Sequence, residues 1–364
     1  MNFKKICINE AIALFIIIII NQVILGVSKE IITDTASSAW LHTIFLSLLA
    51  FFLFWIICKL FAKFINLDII DISKFLAGNI LKTIVCIALI GFFILSAALI
   101  IAHMGNCLSI IYLSNTNVLF IILLFFIGSI FIARYDINVI AKTALIVLWI
   151  LFIPVMALFI YTGIKFDFTH LTPLLGYGLK ETFFDNLTNL YAFSGLIYLF
   201  LITPLLKDTT KFKRIGIISV VISSLYLLFT VISLLVTFPF ASITEDLLSV
   251  YLLAKAISFG PILERVDALY IFLWILSTFS YLSIIFYFLT STFQKMCNLK
   301  NRSCTIYAFA SIVLGVTLSI KNVTDLRFYQ RIIFSYYFLA LFVLLFIILL
   351  LAYLKSNKKP IPLK

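Results

Sequence analysis

Asn21 and Gln22 interrupt a stretch that is isoleucine from Ile16 to Ile20, and each side-chain amide offers two donors and one acceptor. With Val23 they form a polar break in an apolar run, beyond which the chain turns polar through Ser28, Lys29 and Glu30. A second break reads Tyr191-Ala192-Phe193-Ser194-Gly195, with Thr203-Pro204 further on. Glycine and serine permit close backbone approach, and Pro204 leaves a carbonyl without its usual donor. Interrupted apolar helices offer unpaired backbone groups and half-helix dipoles, which can hold the charged ends of a small solute. The expected ligand-binding set is therefore Asn21, Gln22, Val23, Tyr191, Phe193, Ser194 and Gly195. The structural alternative is that the amides bond between packed helices while Ser194 and Gly195 form a small-residue packing surface.

Catalysis has no constellation to rest on. There is no nucleophile–base pair, phosphate loop or metal-ligand spacing, so neither an enzyme nor a metal nor a cofactor is expected. The six cysteines (Cys7, Cys58, Cys86, Cys107, Cys297 and Cys304) lie far apart with no Cys-x-x-Cys, and read as small buried apolar residues. His103 falls toward the outer end of a predicted span, where it either lines an outer vestibule or packs; His42 and His170 read as interfacial. Glu264, Arg265 and Asp267 stand just before a long apolar segment, and can pair with one another, anchor its start or gate an outer vestibule. No Asp, Glu, Lys or Arg occupies the middle third of any predicted span, which argues against a carboxylate proton relay. Glu10, Lys82 and Lys142 sit at span ends, where long side chains snorkel to the interface. A zwitterion would have to be recognised by backbone dipoles and neutral side chains.

The elements that must position these residues follow from composition. Of 364 residues, 64% are apolar and 12% charged, against about 45–50% and about 25% in soluble domains. A helix crosses hydrocarbon with about 20 mainly apolar residues. That length places spans at 8–32, 39–63, 81–105, 117–134, 138–163, 187–206, 214–238, 266–294, 303–321 and 332–355. Lys4 and Lys5 precede the first span without a small-x-small cleavage site, so it is expected to be retained. The net charge of +12 reads as a topology signal rather than as a nucleic-acid footprint. With the N-terminus inside, only Lys29, Lys165, Lys180, Lys255, Arg265, Lys321, Arg327 and Arg331 face outward, and the remaining basic residues face the cytoplasm. Both termini are thus expected in the cytoplasm. The expected fold is an all-α polytopic membrane protein in one membrane domain: ten transmembrane helices as a five-plus-five inverted repeat, with helices 1 and 6 broken. The repeats are 1–163 and 187–364, joined by an outer loop at 164–186, and the segment 239–265 is a candidate outer lid.

The stretch Tyr251-Leu252-Leu253-Ala254-Lys255-Ala256-Ile257-Ser258-Phe259-Gly260-Pro261-Ile262-Leu263-Glu264-Arg265-Val266-Asp267-Ala268-Leu269, running on to Trp274, resembles the spore germination permease family. These are the B-type subunits of nutrient germinant receptors, within the amino acid/polyamine/organocation superfamily. Phe238-Pro239 and Leu25-Gly26-Val27-Ser28-Lys29-Glu30 agree with that resemblance, as do length and helix count. The chain departs from the family pattern at Asn21-Gln22, where members commonly carry Gly-Ser. It departs again at Phe193-Ser194-Gly195, where they often carry Phe-Gly-Glu. The resemblance implies a subunit in the spore inner membrane that binds an amino acid or similar small nutrient. It also implies two partner subunits, one membrane-embedded and one a lipoprotein.

Three functions are open at this point: a nutrient sensor binding between helices 1, 3, 6 and 8, a stand-alone ion-coupled amino acid transporter, and an assembly subunit with a vestigial site. The charge asymmetry makes a direct prediction. Reporter fusions after Lys364 should be active only in the cytoplasm, and fusions within 164–186 only outside; the reverse pattern would overturn the orientation.

Overall fold

The computed structural model describes residues 5–64, 66–162, 167–245, 249–256, 266–299 and 302–357. Among these residues the chain is helical, and its sole β pairing is an isolated parallel bridge between Ile6 and Leu206. The helices are α1 (Ile8–Gln22), α2 (Ser28–Thr35), α3 (Ala39–Phe61), α4 (Ile69–Ile111), α5 (Val118–Ala133), α6 (Ile137–Thr162) and α7 (Leu196–Ile202). They continue as α8 (Phe212–Thr237), α9 (Phe240–Glu245), α10 (Ser249–Lys255), α11 (Val266–Cys297), α12 (Ser303–Ser319), α13 (Val323–Gln330) and α14 (Phe338–Ser356). Each predicted span falls on helix. Among the described residues, five helical stretches are long and apolar enough to cross a membrane, or six if the bent pair Leu187–Phe193 and Leu196–Leu205 counts as one span. Shorter apolar helices accompany them at Val118–Ala133, Ile137–Phe152 and Thr305–Ser319.

Burial sorts these helices into a centre and a wall. α1 is apolar on every side, and from Glu10 to Gln22 all but Ile12 are buried. Such a helix belongs in the middle of a bundle, and α1 packs against α6, α8 and α11. α5 has the opposite character. Phe120, Leu124, Ile127 and Phe131 stand exposed at helical spacing, while Ile121, Ile122, Phe125 and Ser129 turn inward. α14 shows the same outward stripe at Val343, Ile347, Leu350 and Leu354. Apolar stripes of this size facing away from the core are lipid-facing surfaces. Where α3 meets α8, Gly216 lets the two close up: a Cβ there would fall 1.9 Å from the Phe54 ring.

One end of the bundle carries both termini of the described chain and is tied shut. The Ile6 amide donates to the Leu205 carbonyl at 2.9 Å, and the Lys207 amide donates to the Ile6 carbonyl at 3.1 Å. The Thr203 hydroxyl donates to the Leu67 carbonyl at 2.5 Å. Asp68 caps α4 by accepting from the Asp71 amide at 3.0 Å. Its other oxygen pairs with Lys295 of α11, which also reaches Asp71 at 3.1 Å. Lys82 donates to the Lys295 carbonyl at 2.5 Å and is buried, so it is a helix tie rather than a snorkelling charge.

The structure corrects other expectations. α4 begins at Ile69, a full segment before 81, and is broken at Ala77 and Gly78, where Gly78 has φ 78°. The break frees carbonyls that Lys355 caps, donating to Phe75 and Leu76 at 2.9 and 2.7 Å. A cation at a helix C-terminus is favoured by the dipole. The last span is preceded by α13, which runs through a π-helical turn at Arg331–Tyr337 into α14. Cys86 and Cys107 are buried as expected, but Cys7 and Cys297 are exposed. His42 is not interfacial: it is fully buried, and its Nδ1 lies 2.6 Å from the Thr182 carbonyl, tying α3 to the 164–186 loop.

The Asp68–Lys295 pair generates a prediction. Lys295→Ala leaves a buried carboxylate without its cation and should cost about 3–5 kcal/mol, read as a large fall in melting temperature of the purified protein. Asp68→Asn combined with Lys295→Met should recover much of the loss. Equal melting temperatures for the wild type and Lys295→Ala would show that the pair is not formed.

Candidate functional site

Helix 1 does break, but one turn beyond Asn21 and Gln22. A turn of π-helix covers Val23–Val27, and within it Gly26 adopts φ 117°, ψ 6°. That left-handed value is open to glycine and strained for any other residue. The chain then restarts as α2. The second break is also present: Leu187–Phe193 is 3₁₀ helix, and the following Leu196–Leu205 segment is bent from it by 48°.

The predicted ligand-binding residues divide by what they touch. Asn21 lies inside regular helix and is fully buried. Its amide nitrogen donates to the carbonyls of Ile17 and Ser277 at 3.0 and 3.2 Å, and its oxygen accepts from Ser277 and Thr278 at 3.4 and 3.3 Å. Asn21 therefore fastens α1 to α11. Gly195 packs closely on α1, where a Cβ would meet Ile19 at 3.1 Å. Val23 and Phe193 are buried packing residues. Gln22 donates to the Tyr281 hydroxyl at 3.0 Å, which leaves its carbonyl oxygen buried and without a partner among the described residues. The Ser194 hydroxyl is also buried without a partner there. Tyr191 donates to Glu30 at 2.5 Å and stacks on Phe334.

These residues lie beneath a chamber of about 360 Å³ that opens at the end away from the termini. α2 supplies one wall. Lys29, Glu30, Thr33 and Asp34 share a face because they recur every three or four residues, and Gly26 borders the chamber from the break before α2. α13 and the turn after it supply another, with Leu326, Arg327, Gln330, Arg331 and Ser335 at the same spacing. A smaller cavity of about 10 Å³, room for about one water, lies between Gln22, Glu30, Tyr191 and Phe334. Leu25, Glu30 and Gln330 line both spaces, so the chamber runs on toward the Gln22 amide. The Tyr191–Glu30 bond stands at that junction.

His103 lies on the chamber wall and is itself buried. Its Nδ1 is 3.0 Å from Gln330 and its ring meets Trp274 edge-on. Asp267 does not line the chamber. It sits at the start of α11 and accepts from Tyr112, and from Tyr251 at 3.3 Å. Glu264 and Arg265 lie outside the described residues, as do all of 257–265 and 246–248 in the candidate lid; α9, in the same segment, brings Thr244 to the chamber. Among the described residues no group of three His, Cys, Asp or Glu side chains is placed to hold a metal ion. Sequence reasoning missed the chamber's charged residues Glu30, Asp34, Arg327 and Arg331. The signal was the helical spacing of Glu30 and Asp34 just after the first break and of Arg327 and Arg331 before the last span; the arginines had been read only as outward charge.

Two interrupted helices meeting beside a charged chamber, within a wall of lipid-facing helices, define a multi-pass membrane protein of the permease kind. Residues 5–326 match the model of the spore germination protein family, and the chain belongs to that family. No curated protein matches the chain.

Gly26 is the residue on which the chamber's geometry turns. Gly26→Ala meets no atom within 4 Å, yet should cost about 1–3 kcal/mol in backbone strain alone. Thermal unfolding in detergent checks this, and an unchanged melting temperature would mean the positive φ is not held.

Proposed function

We propose that this chain is the membrane-embedded nutrient-binding subunit of a spore germinant receptor. It crosses the spore inner membrane ten times as two inverted five-helix repeats, with both termini in the cytoplasm and the chamber on the outer side. The ligand is an amino acid or similar small nutrient. It passes the junction at Tyr191 and Glu30 and meets the interrupted helices, with Gln22 and Ser194 as the polar contacts. Binding favours one arrangement of the bundle over another, and two partner subunits, one membrane-embedded and one a lipoprotein, read that shift. The chain binds and signals; it does not catalyse.

One observation carries this reading. The chamber leads through shared lining residues to a buried amide oxygen without a partner among the described residues, in a chain of the spore germination protein family. A buried acceptor of that kind costs free energy until something bonds to it. The second reading, a stand-alone ion-coupled amino acid transporter, shares the same site and differs in the step after binding.

A thermal-shift panel of amino acids on the chain co-expressed with its partner subunits tests the proposal. A stabilising amino acid should lose its effect in Ser194→Trp and bind about tenfold or more weakly in Gln22→Leu, the scale of one lost hydrogen bond with its desolvation cost. Binding that survives Ser194→Trp combined with Asn21→Ala would exclude the interrupted helices as the site. Gradient-driven uptake into liposomes holding this chain alone would favour the transporter.

A further inference from the structure

The chamber places opposite charges on facing walls without joining them. On α2, Glu30 and Asp34 are each held by one neutral donor: Tyr191 donates to Glu30 at 2.5 Å, and Asn189 donates to Asp34 at 3.0 Å. On the facing wall, Arg327 and Arg331 are exposed and make no hydrogen bond or ion pair among the described residues. Neutral donors orient a carboxylate without pairing it to a cation, so the space between the walls is bounded by Glu30 and Asp34, with Lys29 beside them, on one side and by two guanidinium groups on the other.

We infer that this chamber is a recognition site for small zwitterions, taking the ligand's carboxylate on Arg327 and Arg331 and its ammonium on Glu30 and Asp34. The inference rests on the proposed function and names the ligand class that the outer part of the site selects. Guanidinium groups bind carboxylates with two parallel N–H donors, which gives geometry as well as charge. An ammonium brings three donors of its own to the free carboxylate oxygens opposite. A solute with only one charge satisfies one wall and leaves the other unmatched, so discrimination is built into the arrangement. The volume suits the class. About 360 Å³ is near the lower end of the roughly 300–1,000 Å³ of ligand pockets, which favours a single small solute over a peptide. It also revises the expectation that neutral groups alone would recognise a zwitterion: they serve the deeper site, whereas charged side chains stand at its entrance.

The test uses the full chain in nanodiscs and isothermal titration with a set of free α-amino acids, each beside its decarboxylated amine and its deaminated acid. At least one amino acid should bind about tenfold or more tightly than both of its singly charged relatives. Arg327→Gln with Arg331→Gln, at exposed positions that leave the core intact, should weaken that amino acid about tenfold to a hundredfold. The same variant should leave the amine's binding unchanged or stronger. Asp34→Asn should do the converse for the acid. Arg331→Lys, which keeps the charge but not the fork, should restore only part of the lost affinity. If the arginine double variant binds the amino acid like wild type while Ser194→Trp abolishes binding, the chamber inference falls and the proposed function stands. If amino acids bind no better than their amines or acids, or none of the set binds, the inference falls as well. The functional reading fails separately, if spores deleted for this chain respond to nutrients as the parent spores do.

Discussion

Within a bilayer, every backbone N–H and C=O must find a partner inside the protein, because hydrocarbon offers none. The rest of this structure depends on that constraint. A helix can be interrupted at membrane depth only where protein or a water-filled space surrounds the break. α1 carries such a break at Gly26, and it is also the helix enclosed by α6, α8 and α11. Its run of isoleucines serves that position, since a helix with no polar face can be surrounded on all sides. Where α4 breaks at Ala77 and Gly78, the carbonyls it frees are taken up by the Lys355 ammonium. Both interruptions are thus accommodated by their surroundings, one by enclosure beside a cavity and the other by a charged cap.

The two ends of the bundle differ in kind. At the end holding the described termini, the start of helix 1 pairs with the chain after α7, and Asp68 and Asp71 draw in Lys295. Removing any of these partners would leave buried polar groups exposed to a low dielectric, so the closure is well determined. At the other end, opposite charges line a chamber and the arginines stay unpaired among the described residues. Under the proposed function, a bundle sealed at one end and open at the other would be one of two arrangements. A ligand that binds more tightly to one of them shifts the balance in proportion to that difference. The Tyr191–Glu30 bond joins the 3₁₀ segment of the second break to α2.

How legible the site was in the sequence depended on the kind of signal each residue carried. Asn21 and Gln22 stood out because amides are conspicuous in an isoleucine run, yet the two do different things. Asn21 is saturated by Ile17, Ser277 and Thr278 and fastens two helices, whereas Gln22 keeps an acceptor open toward the small cavity. Their adjacency gave no means of telling them apart, because residues next to each other on a helix point in directions about 100° apart and meet different neighbours. Gly26 was less conspicuous, although its positive φ makes the break. Arg327 and Arg331 were read only as outward charge, since their meeting with Glu30 and Asp34 spans some three hundred residues of chain.

By itself, the sequence determined the class of the protein. Long apolar stretches with clustered charges can satisfy their backbones in lipid only as helices, so the helical, multi-pass character and the approximate helix positions follow from composition and length. The interruptions were visible too, because polar residues in hydrocarbon-length runs are costly unless partnered. Tertiary structure alone decided which interrupted residues are bonded and which remain open, where the bundle is sealed, and that four charged side chains from distant segments face one another across a cavity. The physical reason is that backbone satisfaction is a local requirement, readable along the chain. The partner of a side chain is set by packing between helices, and no periodicity along one helix specifies it.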